Sequence, residues 1–300
     1  MNFLAVTLFA LVAFASARHI TLEDVTDLEN SFGYGYLNRV GVPLADKIRK
    51  AEEEGNRDAS RIVGGSLAVL GQFPYQAGLL MQLPSGSTAF ATAVLVSPNR
   101  VLSAAHNFHD FVSSVTGVTV VLGSVTVFTG GTRLTPTEII LHPNYIPAPP
   151  VNDIAMVNLP ENVVFSNILA PIALPSGSQL DEDFAGDIAI ASGFGKTNKY
   201  LFGGVLPNQP LSYVHLPVIS NEECARTFGV FLQPSNVCTN GAVGQNVCTG
   251  DSGGPLAVTK DGQPLLIGIT SFGSGQCETG GPSAFARVTY YMDWINERLL

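Results

Sequence analysis

Charge is scarce in this 300-residue chain. Asp, Glu, Lys and Arg together make up 13%, against about 25% in an ordinary soluble domain. That excludes a disordered chain held open by its own repulsion. Basic residues are scarcer still. The chain has 15 Lys and Arg against 24 Asp and Glu, a net charge of −9. No basic face is available for a phosphate backbone, so nucleic acid is excluded as a partner. Long apolar runs are missing too. The longest covers residues 3–15, short of the roughly 20 residues a membrane-spanning helix needs, so no membrane partner is expected. Cysteine is limited to Cys224, Cys238, Cys248 and Cys277, with no C-x-x-C pair, which argues against the usual zinc frameworks. His106 and His109 stand three apart but have no third ligand nearby in sequence. No metal and no cofactor are expected.

What the chain does have begins with that apolar run. It sits at the N-terminus and ends in Ala15-Ser16-Ala17, small residues that suit signal peptidase. Residues 1–17 read as a signal peptide and the rest as a secreted, extracellular protein. Residues 18–61 differ in composition from the remainder of the chain, with 7 Lys and Arg and 9 Asp and Glu. Within them DKIRKAEEE sets Arg49 four residues before Glu53 and Lys50 four before Glu54, possible helix pairs. The stretch breaks at Gly55 and runs through polar residues to Arg61, which reads as an exposed, cleavable linker. It ends in Arg61-Ile62-Val63-Gly64-Gly65. A trypsin-like cut after Arg61 would create a new ammonium on Ile62. Residues 18–61 are therefore expected to be an activation propeptide, and 62–300 the working domain.

That domain reads as all-β. Short β-branched runs recur at 93–96, 118–122, 124–128, 154–159, 188–192, 214–218, 255–259, 265–271 and 284–288, separated by Gly, Pro, Asn and Ser clusters. Many short strands with turn signals between them point to barrels or sandwiches. Near the C-terminus, Tyr291, Trp294, Ile295 and Arg298 recur at helical spacing and make a mostly apolar stripe, so the last residues are expected to be a helix. Four cysteines in a secreted chain favour two disulfides, with three pairings open.

Three motifs carry possible chemistry. Leu102-Ser103-Ala104-Ala105-His106 surrounds one imidazole with small residues, leaving room for a base that works near neutral pH. Asn152-Asp153-Ile154-Ala155-Met156 puts a carboxylate against an apolar strand, where it needs a partner such as an imidazole N–H. Gly250-Asp251-Ser252-Gly253-Gly254-Pro255 flanks a serine with glycines, so backbone N–H groups can approach a substrate closely. Each motif alone has a bland structural reading. In the order His, Asp, Ser, with RIVGG upstream, they resemble the chymotrypsin/trypsin family of serine endopeptidases, and the YYMDWI terminus at 290–295 with the overall pattern resembles, within it, the chymotrypsin-like, collagenolytic-type digestive proteases of arthropods. The resemblance covers 62–300.

It implies two six-stranded antiparallel β-barrels, roughly 62–170 and 171–285, followed by a C-terminal α-helix over 287–300. It also implies roles. Ser252 is the nucleophile, His106 the base and Asp153 the group that orients it, with the N–H groups of Gly250 and Ser252 as the oxyanion hole. Asp251 would pair with the Ile62 ammonium after cleavage, so the uncut chain is expected to be a zymogen. The cysteines fit the family as Cys224–Cys238 and Cys248–Cys277. Asn246 would form the base of the specificity pocket, with Gly273 and Ser283 as walls. Ser271 and Gly273 would pair with the substrate backbone. An uncharged base disfavours Arg and Lys and favours large apolar or aromatic residues before the cut, with elastase-like selection of smaller ones second. The expected partners are protein or peptide substrates, a trypsin-like activating protease and protein protease inhibitors, and a monomer is the default. A signalling protease and a non-catalytic homologue are the alternatives. The chain also departs from the family. Asn107 and Ala91 stand where a disulfide usually bridges the histidine loop, and Thr92 and Ala93 where two glycines are usual.

Overall fold

Short β-branched runs broken by glycine and proline can bury one face or two only by pairing with neighbours, and here they pair antiparallel. The computed structural model describes residues 34–53, 65–195, 210–273 and 277–299. The expected signal peptide, Arg61 and Ile62 lie outside the described residues. In the first half the strands are β1 (Ser66–Leu67), β2 (Gln76–Gln82), β3 (Thr88–Ser97), β4 (Arg100–Ser103), β5 (Gly117–Leu122), β6 (Thr132–Leu134), β7 (Glu138–Leu141), β8 (Ile146–Pro147), β9 (Pro150–Val151) and β10 (Ala155–Asn158). In the second half they are β11 (Ile188–Gly193), β12 (Ser212–Ile219), β13 (Asn236–Asn240), β14 (Pro255–Lys260), β15 (Gln263–Gly273) and β16 (Pro282–Arg287).

The first sheet runs β6-β5-β2-β3-β4-β10-β7, a half-barrel. The second runs β1-β12-β11-β14-β15-β16-β13, and a further β12–β13 pairing closes six of its strands into a barrel. The strand β1 adds to the outside of β12. Both faces of the first sheet are covered. Ala89, Ala91, Ala93 and Leu95 of β3 point into one apolar cluster, while Phe90 and Val94 point into another, as the two-residue period of a strand requires. The second cluster joins the two halves. It takes in Phe194 and Leu211 from the second half and Trp294 and Ile295 from the C-terminal helix α3 (Met292–Leu299).

The helix α1 (Val42–Glu53) lies ahead of the barrels. Pro43 suits its first turn, where no N–H partner is needed. Leu44, Ala45, Ile48 and Ala51 make its buried stripe, and three of them join the cluster between the halves. Burying Leu44 and Ile48 stabilises the docked helix by about 2 kcal/mol each. A single π-turn, Leu37–Gly41, leads into it. The possible helix pairs read in this stretch thus fall, as far as Glu53, in a packed helix, and the linker expected from Gly55 to Arg61 lies outside the described residues. The helix charges also find partners outside the expected pairs. Arg49 lies 3.9 Å from Asp46 and stacks over the Phe128 ring. The helix α2 (Asn221–Phe228) is capped by Ser220 and tied to β13 by the Cys224–Cys238 disulfide.

The strand expected at 124–128 is absent; the chain there is a turn. Glu52 of α1 is the reason. Its carboxylate accepts hydrogen bonds from the N–H groups of Val127, Phe128 and Thr129, at 2.7 to 3.1 Å, and from the Thr129 hydroxyl. Donors turned toward one carboxylate are not available to a ladder. Gly130 and Gly131 come next at positive φ, and a Cβ on Gly131 would lie 2.7 Å from the Leu122 carbonyl. The segment 284–288 ends one residue early, because Val288 opens the 3-10 turn that leads into α3.

Candidate active site

Two neighbouring strands carry the first pair of groups. The strand β4 pairs with β10 so that Ser103 faces Ala155. His106, three residues past the end of β4, and Asp153, two before β10, therefore emerge at the same edge. His106 sits in the 3-10 turn Ala105–Asn107. The contact is doubled. Asp153 Oδ2 lies 2.7 Å from His106 Nδ1, and Asp153 Oδ1 accepts the His106 backbone N–H at 2.9 Å. A carboxylate only accepts, so the imidazole proton is on Nδ1 and Nε2 keeps its lone pair. A third donor is the Ser271 hydroxyl, 2.5 Å from Asp153 Oδ2. Ser271 falls at a β-bulge between β15 and β16, the irregularity that aims its side chain here. Burial works to raise the Asp153 pKa, but His106 and these hydrogen bonds outweigh it and hold the carboxyl below its ordinary value. The group is a buried, ionised acid.

Ser252 comes from the turn between β13 and β14 and is fully buried. Its carbonyl accepts the Thr92 N–H at 3.0 Å and the Asn107 side-chain amide at 3.1 Å. The serine loop is thereby fastened to the residue after His106. Asn107 Nδ2 also donates to Ser103 Oγ, and the Thr92 hydroxyl donates to the Gly250 carbonyl at 2.9 Å. Two of the four residues read as departures from the family pattern, Asn107 and Thr92, thus brace this loop, which sequence reasoning missed, while Ala91 and Ala93 are packed in an apolar cluster. Gly253 at φ +82° is where the loop touches β3 and β4. A Cβ there would collide with Ser103 Oγ and the Thr92 carbonyl.

Asp251 is buried and accepts from the N–H groups of Gly195 and Cys248, both at 2.8 Å. Burial pushes its pKa up to about 7, and the two N–H groups pull it back only in part. Gly193 and Gly195 give it room, since a Cβ on either would collide with the carboxyl. The sequence offered only a Gly-Phe-Gly triplet as a hint of this. The expected partner, Ile62, lies outside the described residues, as does Arg61.

The three residues expected to form the pocket come together. The Ser283 hydroxyl donates to Asn246 Oδ1 at 2.9 Å, the Val247 N–H donates to the same oxygen, and Asn246 Nδ2 donates to the Gly281 carbonyl at 2.8 Å. Gly273 pairs with Ser283 across β15 and β16, and a Cβ on it would be 3.5 Å from Ser283 Oγ. The Cys248–Cys277 disulfide holds the base of the serine loop, and both expected cystine pairings are present.

One further side chain enters this site without having been foreseen. Tyr36 is buried with its ring edge-on to that of His106, centroids 4.7 Å apart. Burial raises its phenol pKa well above the usual range, while the Ser252 hydroxyl and the Gly250 backbone pull it part of the way back. Leu44 packs on Gly250.

Comparison with known proteins decides the class. The family model described as trypsin matches residues 62–295. The chain belongs to the trypsin family of serine endopeptidases. Among its trypsin-family relatives, a collagenase of Hypoderma lineatum is 37% identical over 240 residues, covering 79% of this chain and 86% of the relative. Trypsin-1 of Astacus astacus is 35% identical, covering 78% and 98%. Brachyurin of Leptuca pugilator is 34% identical over 238 residues, covering 78% and 96%. A solved HL collagenase structure superposes with a TM-score of 0.72 at 36% identity, covering 79% of this chain and 98% of that one. The closed barrel, the half-barrel and the C-terminal helix together match the family's chymotrypsin fold.

Proposed function

We propose that this trypsin-family chain is a secreted digestive endopeptidase made as a zymogen, cutting after large apolar or aromatic residues. The observation that carries the catalytic part is the doubly bonded Asp153–His106 pair, with the buried Ser252 fastened through its carbonyl to Asn107, the residue after the histidine. Ser252 Oγ attacks the scissile carbonyl while His106 Nε2 takes its proton. The Gly250 and Ser252 N–H groups receive the developing oxyanion. His106 then protonates the leaving amine, and water, deprotonated by the same imidazole, releases the acyl group from Ser252. Asp153 holds the tautomer and stabilises the imidazolium. No cofactor enters these steps.

Selection depends on the pocket. Asn246 has its oxygen and its nitrogen engaged by protein groups, so the pocket floor carries neither a charge nor a spare acceptor for Arg or Lys. Ser283 narrows the space beside Gly273, which keeps elastase-like selection of smaller side chains as the second reading. Zymogen behaviour is supported by RIVGG and by Asp251, a buried acid whose pKa of about 7 would fall to that of a carboxylate beside a new Ile62 ammonium. The apolar leader supports secretion. Among the described residues no helix is long and apolar enough to cross a membrane. The name collagenase of one relative supports digestion of protein.

The test is a peptide-library cleavage profile of the matured domain, paired with organophosphonate labelling of Ser252. Cleavage is expected after Phe, Tyr, Leu or Met. Dominant cutting after Arg or Lys overturns the pocket assignment. A folded, matured protein that takes no label overturns the catalytic one.

A further inference from the structure

The segment 34–53 belongs to the stretch read above as an activation propeptide, and the inference rests on that reading. It is not loose. Tyr36, Leu37, Leu44, Ala45, Ile48 and Ala51 are each 1% exposed or less, although the segment is bound to the domain by no disulfide. Three separate parts of the domain receive it. At the catalytic centre Tyr36 lies edge-on to His106 and Leu44 covers Gly250. Ser252 and His106 have no exposed surface and Asp153 only 3%. Just past the histidine, Asp110 accepts the Leu37 N–H on its carboxylate at 2.7 Å and the Gly35 N–H on its carbonyl at 3.2 Å. The Asn38 amide donates to Ser113 there. At the far end Glu52 fills the turn of N–H groups at 127–129.

The chemistry of the fit matters. What the segment sets against the centre is the phenol ring of Tyr36, edge-on to His106 and close enough for its hydroxyl to feel that of Ser252, and a phenol offers no acyl carbon to attack. The plug therefore blocks the centre without being consumed there. None of the three contacts involves the bond after Arg61, so cutting that bond removes none of them.

We propose that residues 34–53 are a fitted inhibitor that stays on the matured domain after the cut, so that activity needs two events, cleavage and release. The docking surface is the catalytic centre, the Asp110–Ser113 loop and the 127–129 turn, and its occupant is this segment. The full-length chain is cut after residue 61 under native conditions, and turnover of a small chromogenic peptide is measured from nanomolar to tens of micromolar protein. Specific activity is expected to rise on dilution and to fall when the purified 18–61 fragment is added back. Y36A in the precursor should weaken that inhibition about tenfold or more, as truncation of a buried aromatic anchor does. Should that variant fail to fold, the add-back is made with a fragment carrying E52Q, expected to inhibit less. Specific activity that is independent of concentration and untouched by the fragment overturns the proposal. Fragment binding is read in parallel by calorimetry, which needs no turnover. Binding without inhibition also overturns it. A domain that is inactive and unlabelled by organophosphonate, yet binds the fragment in a Tyr36-dependent way, supports the docking and sinks the peptidase reading instead.

Discussion

At the scale of single residues, the balance around two buried carboxylates sets what the site can do. Asp153 stays ionised because donors outnumber what burial costs it, and Ser271 supplies the shortest of them at 2.5 Å. Hydrogen bonds to a charged group contribute about 1.5–3 kcal/mol. Ser271→Ala should therefore lower kcat by about 10- to 100-fold with KM nearly unchanged, because the loss falls on the imidazolium-stabilising group and not on a pocket wall. A change confined to KM would show that Ser271 serves only the substrate backbone. Asp251 lies on the other side of the balance. Its folded pKa of about 7 stands above the ordinary carboxylate value near 4. Between these limits the native uncut chain holds a proton that the unfolded chain gives up. The contribution is thus fully present below about pH 4 and is lost as pH rises through about 7. Urea titrations of uncut wild type and Asp251→Asn, at about pH 5 and about pH 7, should show the wild type losing on the order of 1–3 kcal/mol relative to the variant. Parallel stabilities at the two pH values would contradict it.

Elements show what replaces the family's histidine-loop disulfide. The serine loop is fastened to β3 and to the turn after β4 by Thr92, Ser103 and Asn107, whose bonds converge on the carbonyls of Ser252 and Gly250 and on each other. A cystine ties two cysteines; this network ties the histidine turn directly to the Ser252 loop. Asn107→Ala should destabilise the chain by about 1–3 kcal/mol, since it strips a donor from a buried carbonyl and leaves a gap. It should also slow acylation, read as a reduced rate of organophosphonate labelling at unchanged pocket selectivity. Equal labelling rates would reduce Asn107 to packing. The strands β3, β5, β10, β11, β12, β14, β15 and β16 and the C-terminal helix were legible because alternation and glycine punctuation are local signals, whereas β2 and β13 were not among the expected runs; the proposed triad was legible because each member sits in its own short motif. The bracing was not, because a polar residue in place of a cysteine or glycine reads locally as a loss, and its gain lies in partners up to 158 positions away. The segment 124–128, expected as a strand, differs for the same reason. Val125 and Val127 have strand propensity, but their neighbours' N–H groups are claimed by Glu52, far off in sequence. Tyr36 gave no local signal at all.

Across the whole molecule, the two halves are held together by elements that belong to neither sheet, and this puts the catalytic groups under the control of distant packing. His106 and Asp153 come from the half-barrel and Ser252 from the closed barrel, so the proposed relay requires the halves to stay in register. The helix α3 comes after the second barrel in sequence but docks on the first. Arg100 at the start of β4 donates to the Arg298 carbonyl at 2.7 Å, and the Tyr291 hydroxyl reaches Asn152, the neighbour of Asp153, at 3.1 Å. Trp294 packs into the cluster shared by the halves, with His142 5.5 Å from its ring and the Arg298 guanidinium 4.6 Å above it. Truncating a buried tryptophan to alanine costs about 3–5 kcal/mol, which in a chain of this size lowers the melting temperature by about 6–20 °C. For Trp294→Ala the loss should come as decoupling, because the interior of the closed barrel has its own apolar cluster, made up of side chains from the second half alone. The expected melt is therefore biphasic, with the catalytic activity lost in the earlier phase while part of the β circular dichroism survives to the later one. A single shifted transition, with activity and β signal lost together, would mean that the halves unfold as one unit and that α3 stabilises the fold without setting their register.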